Sequence, residues 1–368
     1  MAADRRRALV RAACVSLASG AVAIFLLLQA CFGPAEPPSM LPAGEPQRLS
    51  SPQALAPFFA ALDARNSRQQ VRILQIGDSH TANDSFSGRL RERFQQKFGA
   101  AGRGWLPAGI PFKYYRPALV SISESGWRHL RPGDPAGLTL GLDAVAAQSQ
   151  PPDATMAIES TEAAGFDRFG VEFLTRPNGP AFTVAVDGGA PIRVSTAVAS
   201  GTIKRFDMPL DRAARRVELR VEGRAPVALL GWSVERDSAG IIYENHGTIG
   251  ATVDLIGRMT PEAVSFELAE RHPALLVVAF GTNEGFDDGL DLDRYATRFA
   301  DNIEALRRAA QGAPVLVLGP PDGNRVGSGC PATSCRTDAD ACAWHEPAKL
   351  AAVRELQRRV SARQGWAY

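Results

Sequence analysis

Three short polar motifs in the sequence contain the residue types that acyl transfer requires. They are Gly77-Asp78-Ser79-His80, Asn245-His246-Gly247-Thr248-Ile249-Gly250 and Gly281-Thr282-Asn283-Glu284. Acyl transfer needs a nucleophilic hydroxyl and hydrogen-bond donors that hold the developing oxyanion. Ser79 offers a hydroxyl and a main-chain N–H, while the carboxamide of Asn283 and the N–H of Gly250 offer two further donors. We therefore predict that Ser79, Gly250 and Asn283 are the catalytic residues.

Each motif follows a short apolar segment that is typical of a buried strand. These segments are residues 71–76, 241–243 and 274–280. Helical patterns follow the first and the last of these segments, with apolar residues spaced three or four apart in residues 86–98 and 295–306. Strands that alternate with helices predict a doubly wound, mostly parallel α/β sheet of the flavodoxin-like kind. In such sheets ligands bind beyond the carboxyl ends of the strands, which is where the three motifs fall.

The pattern changes to a period of two between residues 117 and 236. Short apolar runs there are separated by turn signals such as Pro177-Asn178-Gly179 and Asp187-Gly188-Gly189. Several short strands with such turns predict an all-β sandwich. We therefore expect residues 67–116 and 237–368 to form one α/β domain, into which a sandwich of residues 117–236 is inserted. Trp105, Trp127 and the pair Tyr114-Tyr115 offer either core packing, which we favour, or a sugar-binding surface.

The three motifs, in this order, resemble the SGNH (GDSL-type) hydrolases. The inserted β-rich region is similar to the carbohydrate-binding-type module of bacterial peptidoglycan O-acetylesterases, a subgroup of that family. The resemblance implies that Ser79 is the nucleophile and that Gly250 and Asn283 complete the oxyanion hole.

The sequence departs from this family at its catalytic base, which the family carries in a C-terminal Asp-x-x-His block. The five histidines are preceded at the third position by Gly77, Gly126, Tyr243, Ala269 and Cys342, none of which is an aspartate. Residues 365–368 predict the opening of a further strand, after which the family block would follow. We therefore expect either that the sequence is a fragment or that the site lacks its base, and loss of a triad partner lowers the rate by ~10⁴–10⁶.

Residues 1–33 are expected to direct the protein to a membrane. Four arginines among residues 5–11 precede an uncharged stretch, residues 12–33. This pattern is typical of an uncleaved anchor or a cleaved signal, and Leu28-Gln29-Ala30-Cys31 also resembles a lipoprotein site that would lipidate Cys31. All three alternatives predict a periplasmic or extracytoplasmic protein. Residues 34–66, which follow, are expected to form a linker and a leading helix. The anchor alternatives predict an inner-membrane partner.

The charge balance and the cysteines bear on possible partners and metal sites. The 368 residues include 41 Lys and Arg against 39 Asp and Glu, so no excess of positive charge indicates a nucleic-acid partner. Cys330, Cys335 and Cys342 predict a disulfide with one odd thiol, or, with His345, a less favoured zinc site. The predicted chemistry requires no metal and no cofactor.

Two functions follow from these patterns. The first is an envelope serine esterase that removes O-acyl groups, expected to be acetyl, from a cell-wall or other polysaccharide through an acyl-serine intermediate. An acyltransferase would use the same serine chemistry. The alternative from another class is a non-catalytic envelope protein that binds glycan with a degenerate hydrolase site.

Overall fold

The computed structural model describes residues 49–63, 69–134, 139–150, 153–326 and 344–368. The chain divides into two compact units, one of Leu49–Asn324 with Glu346–Tyr368, the other of Met1–Arg48 with Arg325–His345. Of the second unit, the described part is a short antiparallel pair of strands, Arg325–Val326 and Trp344–His345. The predicted membrane segment and the three clustered cysteines lie outside the described residues. Among the described residues, no helix has both the length and the apolar character that crossing a membrane requires.

The strands of the larger unit are numbered in chain order: β1 Gln70–Gly77, β2 Gly102–Pro107, β3 Val120–Ser125, β4 Trp127–Leu130, β5 Ala146–Ser149, β6 Thr155–Ser160, β7 Phe166–Leu174, β8 Ala181–Val186, β9 Ile192–Ser195, β10 Ile203–Ala214, β11 Arg216–Val221, β12 Ala228–Glu235, β13 Gly240–Gly247, β14 Leu275–Ala279 and β15 Val315–Val317. The helices are α1 Ala56–Asp63, α2 Ser79–Ala82, α3 Ser85–Phe98, α4 Pro261–Arg271, α5 Thr282–Gly285, α6 Leu292–Ala309 and α7 Leu350–Gln364.

Four strands form a parallel sheet in the order β13-β1-β14-β15. Alternate side chains of these strands enter two apolar clusters, because successive residues of a strand point to opposite faces. Leu74 and Val278 pack with α4, α6 and α7, whereas Ile73 and Val277 pack with α1 and α3. Helices therefore cover both faces, as the alternation of strands and helices predicted.

Two antiparallel sheets enclose a separate apolar core between α3 and β13. One sheet has the order β10-β7-β12-β5-β4, with β2 also paired to β12, and the other has the order β3-β6-β11-β8-β9. Phe169 and Trp232 of the first sheet share a core with Ile158 and Val184 of the second. The molecule is therefore a mixed α/β protein with a β-rich insertion. The strand β2 lies before the predicted boundary at residue 117, although it pairs within the inserted sheet, and the domain boundaries stay predictions.

The entry and exit of the inserted region lie side by side. Ile241 donates its N–H to the carbonyl of Gly99 at 2.9 Å, and Ala100 forms a bridge with Ile241. A Cβ on Gly240, whose φ is +143°, would lie 2.5 Å from the carbonyl carbon of Gly99, so only glycine fits this crossing. An insertion whose ends meet in this way leaves the parallel sheet uninterrupted.

Three local predictions differ in detail from the structure. The strand β13 does not end at Tyr243 but continues through His246 to Gly247, in register with β1. The leading helix expected within residues 34–66 begins as a 3₁₀ turn, Pro52–Leu55, and continues as α1. The strand predicted to open at residues 365–368 is present as a single bridge, in which Ala367 pairs with Leu316.

Candidate active site

The three predicted motifs meet at the carboxyl edge of the parallel sheet. Gly77, the last residue of β1, is in register with Gly247 of β13 on one side and with Ala279 of β14 on the other. Thr248 donates its N–H to the carbonyl of Gly77 at 3.0 Å, and Asp78 donates its N–H to the carbonyl of Ala279 at 3.3 Å. The segments that carry Ser79, Gly250 and Asn283 therefore leave three adjacent strand ends.

Ser79 is the first residue of the short helix α2 and is half-buried. Asp78 caps this helix, because its carboxylate accepts the N–H of His80 at 2.9 Å. A Cβ on Gly77 would lie 2.4 Å from Thr81 Oγ1 and 2.5 Å from the carbonyl oxygen of Ala279, so the turn requires glycine. No described residue accepts the N–H of Ser79 or bonds to its hydroxyl. Both groups are therefore uncommitted within the described part of the chain.

Gly250 lies in an exposed loop with a φ of +73°. The loop is closed by a hydrogen bond from the N–H of Ala251 to the carbonyl of Thr248, at 3.2 Å. Among the acceptors that the structure describes, none takes the N–H of Gly250. This main-chain donor is free to meet a ligand.

Asn283 joins α5 to the loop of Gly250. Its Nδ2 donates to the carbonyl oxygen of Ala251 at 2.7 Å. A carboxamide carries two N–H donors, so one remains after this bond. The structure therefore brings Asn283 and the Gly250 loop into contact, and places Ser79 on the neighbouring strand end. A hydroxyl with such donors can carry out acyl transfer, while the catalytic roles of the three residues stay predictions.

Three histidines are paired with carboxylates, but none of them with Ser79. His80 Nδ1 lies 3.0 Å from Asp78 Oδ1, and its ring is half-exposed at the same edge. His246 Nδ1 lies 2.9 Å from an oxygen of Asp143, and both side chains are buried. His129 lies 3.0 Å from Glu124 within the sandwich. Among the described residues no imidazole is hydrogen-bonded to Ser79, so the catalytic base stays a prediction.

Two acidic residues at this edge were not predicted from the sequence. Glu284 accepts the N–H of Val253 at 2.8 Å, which ties α5 to the segment after Gly250. Burial, together with the nearby negative charge of Asp78, raises the pKa of Glu284 to about 7. Its position next to Asn283 in the sequence could have indicated that Glu284 lies at the site. The burial of its carboxyl group, however, cannot be read from the sequence. Asp143 lies on the inserted side, 103 residues from its partner His246, and no sequence pattern links them.

The other predicted binding residues divide by exposure. Trp105 and Tyr115 are buried, as the core interpretation predicted, whereas Tyr114 is 71% exposed. No group of three or more His, Cys, Asp or Glu side chains within the described ranges could hold a metal ion. The zinc alternative depends on cysteines outside those ranges, so it is untested.

Among solved structures, the chain is similar to a peptidoglycan O-acetylesterase, with a TM-score of 0.67 and 23% sequence identity over 85% of this chain and 81% of that one. It also aligns with family two carbohydrate esterases from Clostridium thermocellum (14% identity, 67% and 86% coverage, TM-score 0.26) and Cellvibrio japonicus (14% identity, 66% and 86% coverage, TM-score 0.23). No protein-family model matches the chain, and no curated protein matches it. The chain therefore has the fold of this esterase, a mixed α/β fold with a β-rich insertion.

Proposed function

We propose that this protein is a serine esterase of the SGNH type that removes O-acyl groups, principally acetyl, from peptidoglycan or a related cell-envelope polysaccharide. The observation that carries the proposal is the meeting of the three motifs at one sheet edge, with the N–H groups of Ser79 and Gly250 uncommitted among the described residues. The likeness in fold to a peptidoglycan O-acetylesterase supports the choice of substrate class.

The reaction begins with attack of Ser79 Oγ on the ester carbonyl carbon. The hydroxyl proton passes to an imidazole base, and the carbonyl oxygen becomes an oxyanion that accepts hydrogen bonds from Ser79 N–H, Gly250 N–H and Asn283 Nδ2. The bond to the sugar oxygen then breaks, and the base returns the proton to that oxygen. Water hydrolyses the acyl-serine by the same steps in the second half-reaction, which frees the acid and restores the hydroxyl.

The proposed location of the protein is outside the cytoplasm, at the inner membrane. Residues 5–11 contain four arginines and residues 12–33 contain no charge, a pattern that supports an anchor or a lipidated Cys31. This location agrees with a polysaccharide substrate of the cell envelope.

A second candidate is a glycan-binding envelope protein without catalytic activity. It is favoured by one observation: within the described residues, no imidazole is hydrogen-bonded to Ser79. This candidate keeps the same ligand class and the same fold but removes the reaction.

The decisive experiment compares Ser79→Ala with Ser85→Ala in the full-length gene product. Release of acetate from O-acetylated peptidoglycan and hydrolysis of p-nitrophenyl acetate are measured. We expect Ser79→Ala to lower kcat by ~10⁴ or more, since it removes the nucleophile. Ser85 is exposed at the start of α3, so its substitution is expected to leave both rates unchanged. Undiminished turnover by Ser79→Ala would exclude the mechanism, and a wild-type protein that binds the glycan without turnover would support the second candidate.

A further inference from the structure

A cavity of about 200 Å³ lies between the inserted sandwich and the candidate active-site edge. Its walls come from both parts of the chain. Pro107, Phe112 and Tyr115 belong to the inserted side, whereas Ala82, Thr248 and Ile249 belong to the edge of the parallel sheet. The cavity is thus part of one compact unit and is built jointly by the sandwich and the hydrolase-like sheet.

The cavity adjoins the segments that carry two of the predicted catalytic residues. Ala82 is the last residue of α2, the four-residue helix that Ser79 begins. Thr248 and Ile249 immediately precede Gly250, whose N–H is uncommitted among the described residues. A molecule bound in the cavity would therefore contact the segments that carry Ser79 and Gly250.

The surface of the cavity suits a small ring that has one apolar face. Phe112 and Tyr115 are packed edge to face, with ring centroids 5.2 Å apart, and Ile249 is 55% exposed. Ligand sites are lined mainly by apolar and aromatic groups, with a few polar groups that fix orientation. The volume is below the ~300–1,000 Å³ that is usual for drug-sized ligands, so it accommodates a single ring rather than an oligosaccharide.

The polar groups of the cavity are available to hydroxyl substituents. Tyr115 is only 7% exposed, yet its own hydroxyl makes no hydrogen bond to any described residue. Asp143, which lines the same cavity, accepts one bond from Trp105 Nε1 at 2.8 Å and lies 2.9 Å from His246 Nδ1. Each carboxylate oxygen retains a further lone pair, so Asp143 can accept while Tyr115 can donate or accept.

We propose that this cavity binds one pyranose ring of the substrate glycan and thereby holds the acylated sugar against Ser79. This inference rests on the proposed function, which it makes more specific. It assigns the inserted sandwich a direct part in the substrate site, because two of the aromatic and polar contacts to the sugar, Phe112 and Tyr115, come from the inserted side. The sandwich then is not a separate glycan-binding module that acts at a distance.

The test compares Tyr115→Phe with Tyr114→Phe in the full-length protein. Affinity for a linear tetramer of β-1,4-linked N-acetylglucosamine, which carries no ester, is measured by titration calorimetry. Tyr115→Phe removes only a hydroxyl that has no described protein partner, so a purely structural role for Tyr115 predicts no change in affinity. We expect it to weaken binding by about fivefold to tenfold, the effect of one lost hydrogen bond. Tyr114 is 71% exposed and does not line the cavity, so Tyr114→Phe is expected to bind as the wild type does.

Two results would overturn the inference: no binding of the tetramer by the wild-type protein, or equal affinities of the wild type and Tyr115→Phe. The measurement does not depend on catalysis, and Ser79→Ala is expected to bind the tetramer with unchanged affinity. Failure of the proposed esterase activity is therefore distinguished from failure of the cavity as a sugar site. For an active enzyme, Tyr115→Phe is also expected to raise KM for O-acetylated glycan, whereas Tyr114→Phe, outside the cavity, is expected to keep the KM of the wild type.

Discussion

At the scale of single residues, Glu284 has an environment that its position in the sequence does not suggest. Its side chain is buried beside Asn283, and among the described residues one of its two carboxyl oxygens has no hydrogen-bond partner. Burial is the main cause that raises the pKa of Glu284 to about 7, and the charge of Asp78 adds to it. In the unfolded chain the pKa is near the ordinary value of 4.5.

This difference predicts a pH dependence of stability with a definite sign. Between about pH 4.5 and 7 the folded protein retains on Glu284 a proton that the unfolded chain has released, so the free energy of unfolding falls as pH rises through this window. Glu284→Gln keeps an oxygen for the N–H of Val253 but cannot ionise. We expect its stability, relative to wild type, to increase by up to ~3 kcal/mol between pH 4 and pH 8. Urea unfolding at both pH values measures this, with the exposed Glu262→Gln as control; an unchanged difference between Glu284→Gln and wild type would contradict the assignment.

At the scale of elements, a buried ion cluster fixes α3 and the loop after α2 against the inserted side. Asp84, at a φ of +55°, accepts two hydrogen bonds from Arg91 at 2.9 and 3.0 Å and one from Arg103 at 3.3 Å. Its carboxylate also accepts the N–H of Ala118 at 2.8 Å. Although burial opposes ionisation, Arg103 and Arg91 lower the pKa of Asp84 to about 2.

Removal of this charge is expected to destabilise the protein strongly. Asp84→Asn tolerates the positive φ but leaves two buried arginines without their carboxylate, and broken buried ion pairs cost about 3–5 kcal/mol. Glu92→Gln is the matched control, because Glu92 pairs with Arg89 at the exposed surface of the same helix. Urea denaturation midpoints at pH 7 compare the two variants. If Asp84→Asn unfolds at the same midpoint as Glu92→Gln, the cluster does not hold the elements together.

Most helices and strands were predictable from local sequence patterns, because the spacing of apolar residues in a segment depends on whether that segment is a helix or a strand. The helix α6 is the clearest example: the spacing of Tyr295, Phe299 and Ile303 predicted the face that is buried. The strand β2 was not predicted, since Gly102 and Arg103 carry no strand pattern and become buried only through pairing with β12. Long-range pairing of this kind leaves no signal in a short segment.

For the candidate site, the position of the motifs was predictable from the sequence, but the partners of the buried polar residues were not. The order of motifs along buried strands placed the segments of Ser79 and Asn283 at one edge, because the carboxyl ends of parallel strands coincide. The sequence predicted a strand over residues 241–243 only and not its continuation to Gly247. Glu244 and His246 are tolerated in a buried strand because each has a distant charged partner, Arg72 for the first and Asp143 for the second. Such partners depend on tertiary structure and are not visible in the sequence.

At the scale of the whole molecule, a buried polar network connects the inserted sandwich to the parallel sheet. Trp105 of β2 donates to Asp143, and Asp143 contacts His246, one residue before the end of β13. On the other side of the ring, Glu244 lies 3.9 Å from His246 Nε2. Burial alone would lower the pKa of His246, but the carboxylates of Asp143 and Glu244 raise it to about 9. The imidazole is therefore a cation at neutral pH, and its charge links the two parts of the chain.

This link predicts that the two parts are held together less strongly in alkaline solution. The folded pKa of His246 exceeds the ordinary value of 6.5, so its contribution to stability is fully present below pH 6.5 and is lost as pH rises through about 9. Asp143→Asn removes the main source of this shift. We expect wild type to exceed the variant in unfolding free energy at pH 6, and the difference to shrink by up to ~3 kcal/mol at pH 10. Asp301→Asn, at an exposed position of α6, controls for the loss of one negative charge. Urea unfolding at the two pH values measures this difference. If wild type and Asp143→Asn differed equally in unfolding free energy at pH 6 and pH 10, His246 would be neutral in the folded protein and its charge would not hold the two parts together.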